Sequence, residues 1–179
     1  LNHDGVIDSN DQAPIGYNPV PEMTFSLAAG LNWKGIDFSI LLQGAARSSI
    51  YLQQDIAWDN FWGNYYEEHI GRWTPETAAT ATYPRFTKAA TAAHPNYYKS
   101  DYWFKDSKYF RLKNIQLGYT IPRKLLKKFG VRSLRVYANA YNLFTWDNVK
   151  KVDPESSNNS NGQFYPQQKV INFGINLNF

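Results

Sequence analysis

The sequence predicts an all-β chain of five antiparallel strands, and three observations predict it. Five stretches of about ten residues alternate apolar and polar side chains, which is the period of a strand and the length of a tilted membrane-crossing one. The connections between them alternate between short and long. No run of 18 or more apolar residues occurs, which excludes a transmembrane helix but not the wall of a β-barrel.

Taken in order, residues 1–23 form a first loop, and 24–46 a hairpin. In its first strand Phe25, Leu27, Ala29, Leu31 and Trp33 share one parity. Lys34-Gly35 makes the tight turn, Gly35 supplying a positive φ. Ile36, Phe38, Ile40 and Leu42 carry the apolar face onward. A long loop, 47–106, follows. Residues 107–146 hold two more strands: Ile115, Leu117, Tyr119 and Ile121 alternate in one, and Leu134, Val136, Ala138 and Ala140 in the other. Between them Pro122 ends a strand, and Arg123–Phe129 read as a short basic helical turn stopped by Gly130. Residues 147–168 form the last loop, and 169–179 a final strand with Ile171, Phe173, Ile175, Leu177 and Phe179 in phase.

Two architectures share this alternation. A membrane barrel turns its apolar face outward and its polar face to the lumen, whereas a soluble β-sandwich turns the apolar face inward. Periodicity alone favours the sandwich, the commoner class. The connections shift those odds toward the barrel without closing the question, because barrels pair short periplasmic turns with long extracellular loops. That rule puts 34–35 and 122–132 on the periplasmic side, and 1–23, 47–106 and 147–168 outside. Five strands cannot close a barrel, and the chain opens inside a motif without an initiator Met, so it is read as part of a longer protein. Aromatics are 17% of the residues, charged residues 19% and net charge +4, at a mean hydropathy of −0.54. The cations are scattered apart from Arg123, Lys124, Lys127, Lys128 and Arg132, so nucleic acid is not an expected partner. The absence of Cys excludes disulfides and Cys-ligated metal sites.

Residues 2–11 (NHDGVIDSND) carry oxygen donors at EF-hand spacing: Asn2, Asp4, the Val6 carbonyl, Asp8 and Asp11, with Gly5 at the sharp turn. No cofactor is required, and Ca²⁺ is the metal this spacing would take; the competing reading is an Asx-rich turn without metal. The loop 47–106 holds 14 of the 30 aromatics. Trp58, Trp62, Trp73, Tyr97, Tyr98 and Trp103 are the candidate contacts for a substrate or a lid. An interfacial girdle and a packed mini-core are the competing readings. His3, His69 and His94 lie apart in sequence and are expected to be solvated, and Glu67, Glu68, Glu76, Asp153 and Glu155 belong to no catalytic motif. The chain is not expected to be an enzyme.

DGVIDSNDQAPIG (4–16), RWTPE (72–76), SDYWFKDSKYFRLKNIQLGYTIP (100–122), LRVYANAYNLFTW (134–146), DPE (153–155) and INFGINLNF (171–179), in this order and over nearly the whole chain, resemble the C-terminal third of SusC/RagA-family TonB-dependent outer-membrane transporters. The resemblance implies the last five strands of a barrel of about 22 with a plugged lumen, in the bacterial outer membrane. It implies import of oligosaccharides or peptides with a SusD-like lipoprotein as lid, powered through TonB, which would contact a segment N-terminal to this chain. Phe179 matches the terminal aromatic by which such barrels are recognised for assembly. The alternative is a soluble β-sandwich carbohydrate-binding module.

Overall fold

The computed structural model describes residues 3–6, 8–54, 57–59, 65–88, 94–149, 152–156, 165 and 167–179. Its main element is one antiparallel sheet built from β1 (Met23–Trp33), β2 (Ile36–Ala46), β5 (Tyr109–Thr120), β6 (Ser133–Asp147) and β7 (Val170–Asn178), adjacent in that order. β3 (Ser49–Tyr51) and β4 (Phe104–Asp106) form a separate pair at the base of the long loop. Three residues are too few to display a period, so this pair is not legible as alternation. A short α-helix, α1 (Arg123–Leu126), continues into a 3₁₀ turn at Lys127–Phe129, and Gly130 closes it in the left-handed region.

Pairing places apolar residues opposite apolar residues across all five strands. Trp33, Ile36, Tyr119, Val136 and Ile175 form one row, and Leu31, Phe38, Leu117, Ala138 and Phe173 the next. Ala29, Ile40, Ile115, Ala140 and Ile171 form a third. A bulge in β5 at Lys113 then shifts the phase, so that Leu112 and Phe110, of the other parity, rejoin the apolar face beside Phe144 and Trp146. This face is bare. Phe173 is 82% exposed, Ile175 69% and Leu27 61%.

The opposite face carries Asn32, Ser39, Gln116, Asn139 and Asn172 among others. Near the turn end Asp37 and Arg135 form an ion pair over Gly118, and the Arg135 guanidinium lies 4.8 Å from the Tyr137 ring. Tyr137 itself lies flat over Gly174, where any Cβ would strike its ring. Glycine in a strand interior here marks a close approach, as its lack of a side chain allows.

Gly174→Val should therefore lower stability by about 1–3 kcal/mol through overpacking, measured by urea unfolding. Tyr137→Ala in the same background should relieve most of that loss. Equal losses with and without the ring would show that the contact is not the cause.

Candidate functional site

The loop end of the polar face is organised around Arg111, which is 2% exposed. β5 aims it away from the apolar rows, and Nε donates to Thr145 Oγ1 on β6 at 2.9 Å. Its two remaining nitrogens reach down-chain: Nη2 donates to Asp153 Oδ2 at 2.8 Å, and Nη1 to Glu155 Oε2. Glu155 collects further donors, from the Tyr109 hydroxyl at 2.8 Å, Gln167 Nε2 at 2.7 Å and Lys113 Nζ at 3.2 Å. Residues two apart share a face of a strand, so Lys113 joins Arg111, and the bulge is what turns them from the parity of the apolar Ile115 and Leu117 to the polar face.

The segment 153–156 is shaped to be held in this way. Asp153 Oδ1 accepts from Glu155 N at 2.9 Å, and Ser156 N donates to the Asp153 carbonyl at 2.9 Å. Pro154, at the second position of that turn, fixes its φ in advance. A buried guanidinium is costly unless paired and fully hydrogen-bonded, and this tripeptide supplies the pairing. Burial alone would raise the Glu155 carboxyl. Hydrogen bonds from Tyr109 and Lys113, with the charges of Arg111 and Lys113, outweigh it and hold the pKa below the ordinary glutamate value.

The same loop reaches into a second structure. Val149 is buried with Ile50, Leu52, Ala57, Trp58, Tyr83, Tyr97 and Trp103, so the two long loops share one apolar core. Trp58, Tyr97 and Trp103 are 2%, 1% and 3% exposed, which corrects the expectation that they face a ligand: their ring faces are spent on one another, Trp58 and Tyr97 at 4.7 Å and Tyr97 and Trp103 at 6.1 Å. Asp59, 1% exposed, accepts from the Tyr97 hydroxyl and from Thr87 N at 3.1 Å. Burial first, and then the Asp59 charge, push the Tyr83 phenol far above its ordinary range. Tyr97 moves the same way, through burial and its hydrogen bond to Asp59. Both are therefore neutral donors.

His69 also departs from expectation. It is 2% exposed, with Nδ1 accepting from Tyr66 N at 3.0 Å and Nε2 at 3.2 Å from the Ala57 carbonyl, against the Tyr83 ring. It is a structural, hydrogen-bonded residue rather than a solvated one. Trp73 and Tyr98 remain on the surface, at 39% and 40% exposure, and Tyr65, Tyr66 and Tyr102 join them. Sequence reasoning missed those three because nothing local separates an exposed loop tyrosine from a buried one. Trp62 lies outside the described residues.

In the N-terminal segment the carboxylates serve the backbone. Asp4 Oδ1 accepts from Val6 N at 2.8 Å, Asp8 Oδ1 from Asn10 N at 2.7 Å, and Asp11 Oδ2 from Asp8 N at 3.1 Å, closing a capping box. Gly5 takes a φ of +84°. These hydrogen bonds make Asp4 the residue of an Asx turn and Asp8 and Asp11 a cap; Asn2 lies outside the described residues. Phe179 follows β7 and is 76% exposed.

No family model matches the chain. Among curated proteins it is similar to the TonB-dependent receptor P26 of Formosa agariphila, 30% identical over 99% of this chain and 19% of that protein. The TonB-dependent receptor SusC of Bacteroides thetaiotaomicron is 26% identical over 99% of this chain and 17% of its own length. The chain thus spans about a fifth of the length of the curated relatives it matches. Among solved structures it is similar to the RagAB peptide importer in its open-open state, with a TM-score of 0.69, 22% identity, and coverage of 97% of this chain and 19% of that one. The RagAB peptide transporter gives a TM-score of 0.66 at 18% identity, over 96% of this chain and 19% of its own. At this identity the structural likeness is one of fold.

Arg111→Met in the intact protein should cost about 2–4 kcal/mol, because it strands two partly shielded carboxylates, and should speed proteolysis between residues 150 and 168. Unchanged cleavage would mean the ion pairs do not hold the loop. The pH dependence follows from a depressed carboxyl: the tether is intact above the ordinary glutamate pKa and is lost as pH falls through the lower folded value. The same proteolysis run from pH 7 downward should show protection vanishing only in the acidic range.

Proposed function

We propose that this chain is a stretch of a SusC/RagA-type TonB-dependent receptor and forms part of the outer-membrane wall of a nutrient importer, with its two long loops at the extracellular mouth. The observation that carries the reading is the bare apolar face with an aromatic band at each end. Trp33 and Tyr119 stand exposed at the turn end, and Phe25, Phe144 and Trp146 at the loop end. The bands are about 27 Å apart along β1, or roughly 21 Å along the membrane normal at a strand tilt of about 40°, near the height of about 25 Å that interfacial girdles enclose on a barrel. A soluble protein does not leave so large a patch in water, and a sandwich would cover it with a second sheet. Among the described residues no second sheet lies on it.

In this reading the polar face lines the lumen, and 34–35 and 122–132 are periplasmic turns. The cargo is an oligosaccharide or peptide, a polar oligomer suited to a lumen lined with Asn, Gln and paired charges; RagAB, a peptide importer, is the precedent for the second class. A SusD-like lipoprotein closes the mouth, and TonB acts through a part of the receptor outside this chain. Trp73 and Tyr98, with Tyr65, Tyr66 and the sequence-named Trp62, are the contacts offered to lid or cargo. The relatives are receptors and transporters rather than enzymes, and no chemistry is assigned to the chain.

Single cysteines test the two faces. With the intact receptor in outer membranes, Leu117→Cys and Phe173→Cys should resist a water-soluble maleimide, while Gln116→Cys and Asn172→Cys should react. Rapid labelling at 117 and 173 would remove the lipid-facing assignment. A receptor lacking Phe179 should assemble poorly, seen as a fall in heat-modifiable barrel in the outer-membrane fraction. Normal yield would deny that residue its assembly role.

A further inference from the structure

We infer that the turn end of the outer face holds an anionic phospholipid, its acyl chain in a trough along β6 and its phosphate on the basic turn that joins β5 to β6. The inference rests on the lipid-facing reading of the apolar rows. The trough arises because β6 is lined by smaller side chains than its neighbours. Ala138 stands between Leu117 and Phe173, and Ala140 between Ile115 and Ile171. The result is a groove of about 500 Å³ edged by Ile36, Leu117, Tyr119, Val136 and Phe173 with Ala138 at its floor. Lipid-facing walls commonly present a smooth apolar surface; a recess this size needs an occupant or stays poorly packed.

The groove ends where the chain enters the turn, since Tyr119 and Val136 are within a few residues of it. There Arg123, Lys124, Lys127, Lys128 and Arg132 are all exposed, and none forms an ion pair among the described residues. Leu126 turns inward, at 6% exposure, and anchors the turn. Leu125 and Phe129, four residues apart, turn outward at 65% and 75% exposure. Bulky apolar side chains set among unpaired cations are the composition of a segment that sits at a membrane interface. A soluble anion would meet the cations but leave both the groove and these side chains in water. A phospholipid with a net negative headgroup satisfies all three features together.

The test uses the intact receptor, exchanged in vesicles of equal phosphatidylglycerol and phosphatidylethanolamine and then extracted in mild detergent, with retained lipid counted by mass spectrometry. Phosphatidylglycerol should be enriched by about tenfold or more, the scale that several interfacial cations supply. Enrichment should vanish in the Lys124→Glu, Lys127→Glu, Lys128→Glu triple variant and fall in Ala138→Leu, which fills the trough. Equal retention of both lipids by the wild type overturns the proposal, as does enrichment that survives either variant. Heat-modifiability of the wild-type barrel is read alongside. An inserted barrel without lipid preference refutes only this site, whereas a wild-type receptor absent from the membrane refutes the wall reading beneath it.

Discussion

Because successive side chains of a strand point to opposite faces, the four pairings of this sheet give a continuous apolar surface in one register only, and a slip of one residue would turn every row inside out. Everything else described here depends on that register. It places Leu117 beside Ala138 and Phe173 on one side and Asp37 within reach of Arg135 on the other. The register departs at one height: Lys113 bulges from β5 against β2, and β6 answers with an extra residue between Tyr141 and Phe144. The bulge at Lys113 falls where two requirements meet. It restores Leu112 and Phe110 to the apolar face, and it gives Glu155 a second cation beside Arg111.

The strands were legible because their signal is local: parity in 24–33 or 171–179 can be counted from the residues themselves. The tight turn at Lys34-Gly35 and the stop at Gly130 were legible for the same reason, each requiring a positive φ that both glycines adopt. Burial in the loops was not. Trp58 and Trp73 are the same residue type in the same aromatic-rich loop, yet one is sealed in the core and the other half open. The difference lies in partners distant in sequence, such as Val149 across from Ile50. His69 is hidden from sequence for the same reason. Arg111 and the tripeptide at 153–155 are 42 to 44 residues apart, so the pairing had no local mark beyond an Asp-Pro turn signal.

The loops are therefore not loose appendages on a rigid wall. Between them they share one apolar core, and the second is pinned to the polar face by a buried guanidinium. The two attachments differ in kind. The core is held mainly by apolar burial and hydrogen bonds, which ionic screening touches little, whereas the ion pairs nearer the surface respond to salt. Loop 147–168 thus stands on one support that conditions can weaken and one that they leave alone.

The glycines of the polar face carry a consequence for the space in front of them. Tyr137 lies down over Gly174, and the Asp37–Arg135 pair lies across Gly118, so large groups rest in shallow recesses instead of standing upright. In a closed wall that is a matter of bore. Filling a recess lifts the group above it toward the axis and narrows the passage at that height. In the barrel proposed for this chain, clearance for a cargo would thereby be set by residues that the cargo never meets.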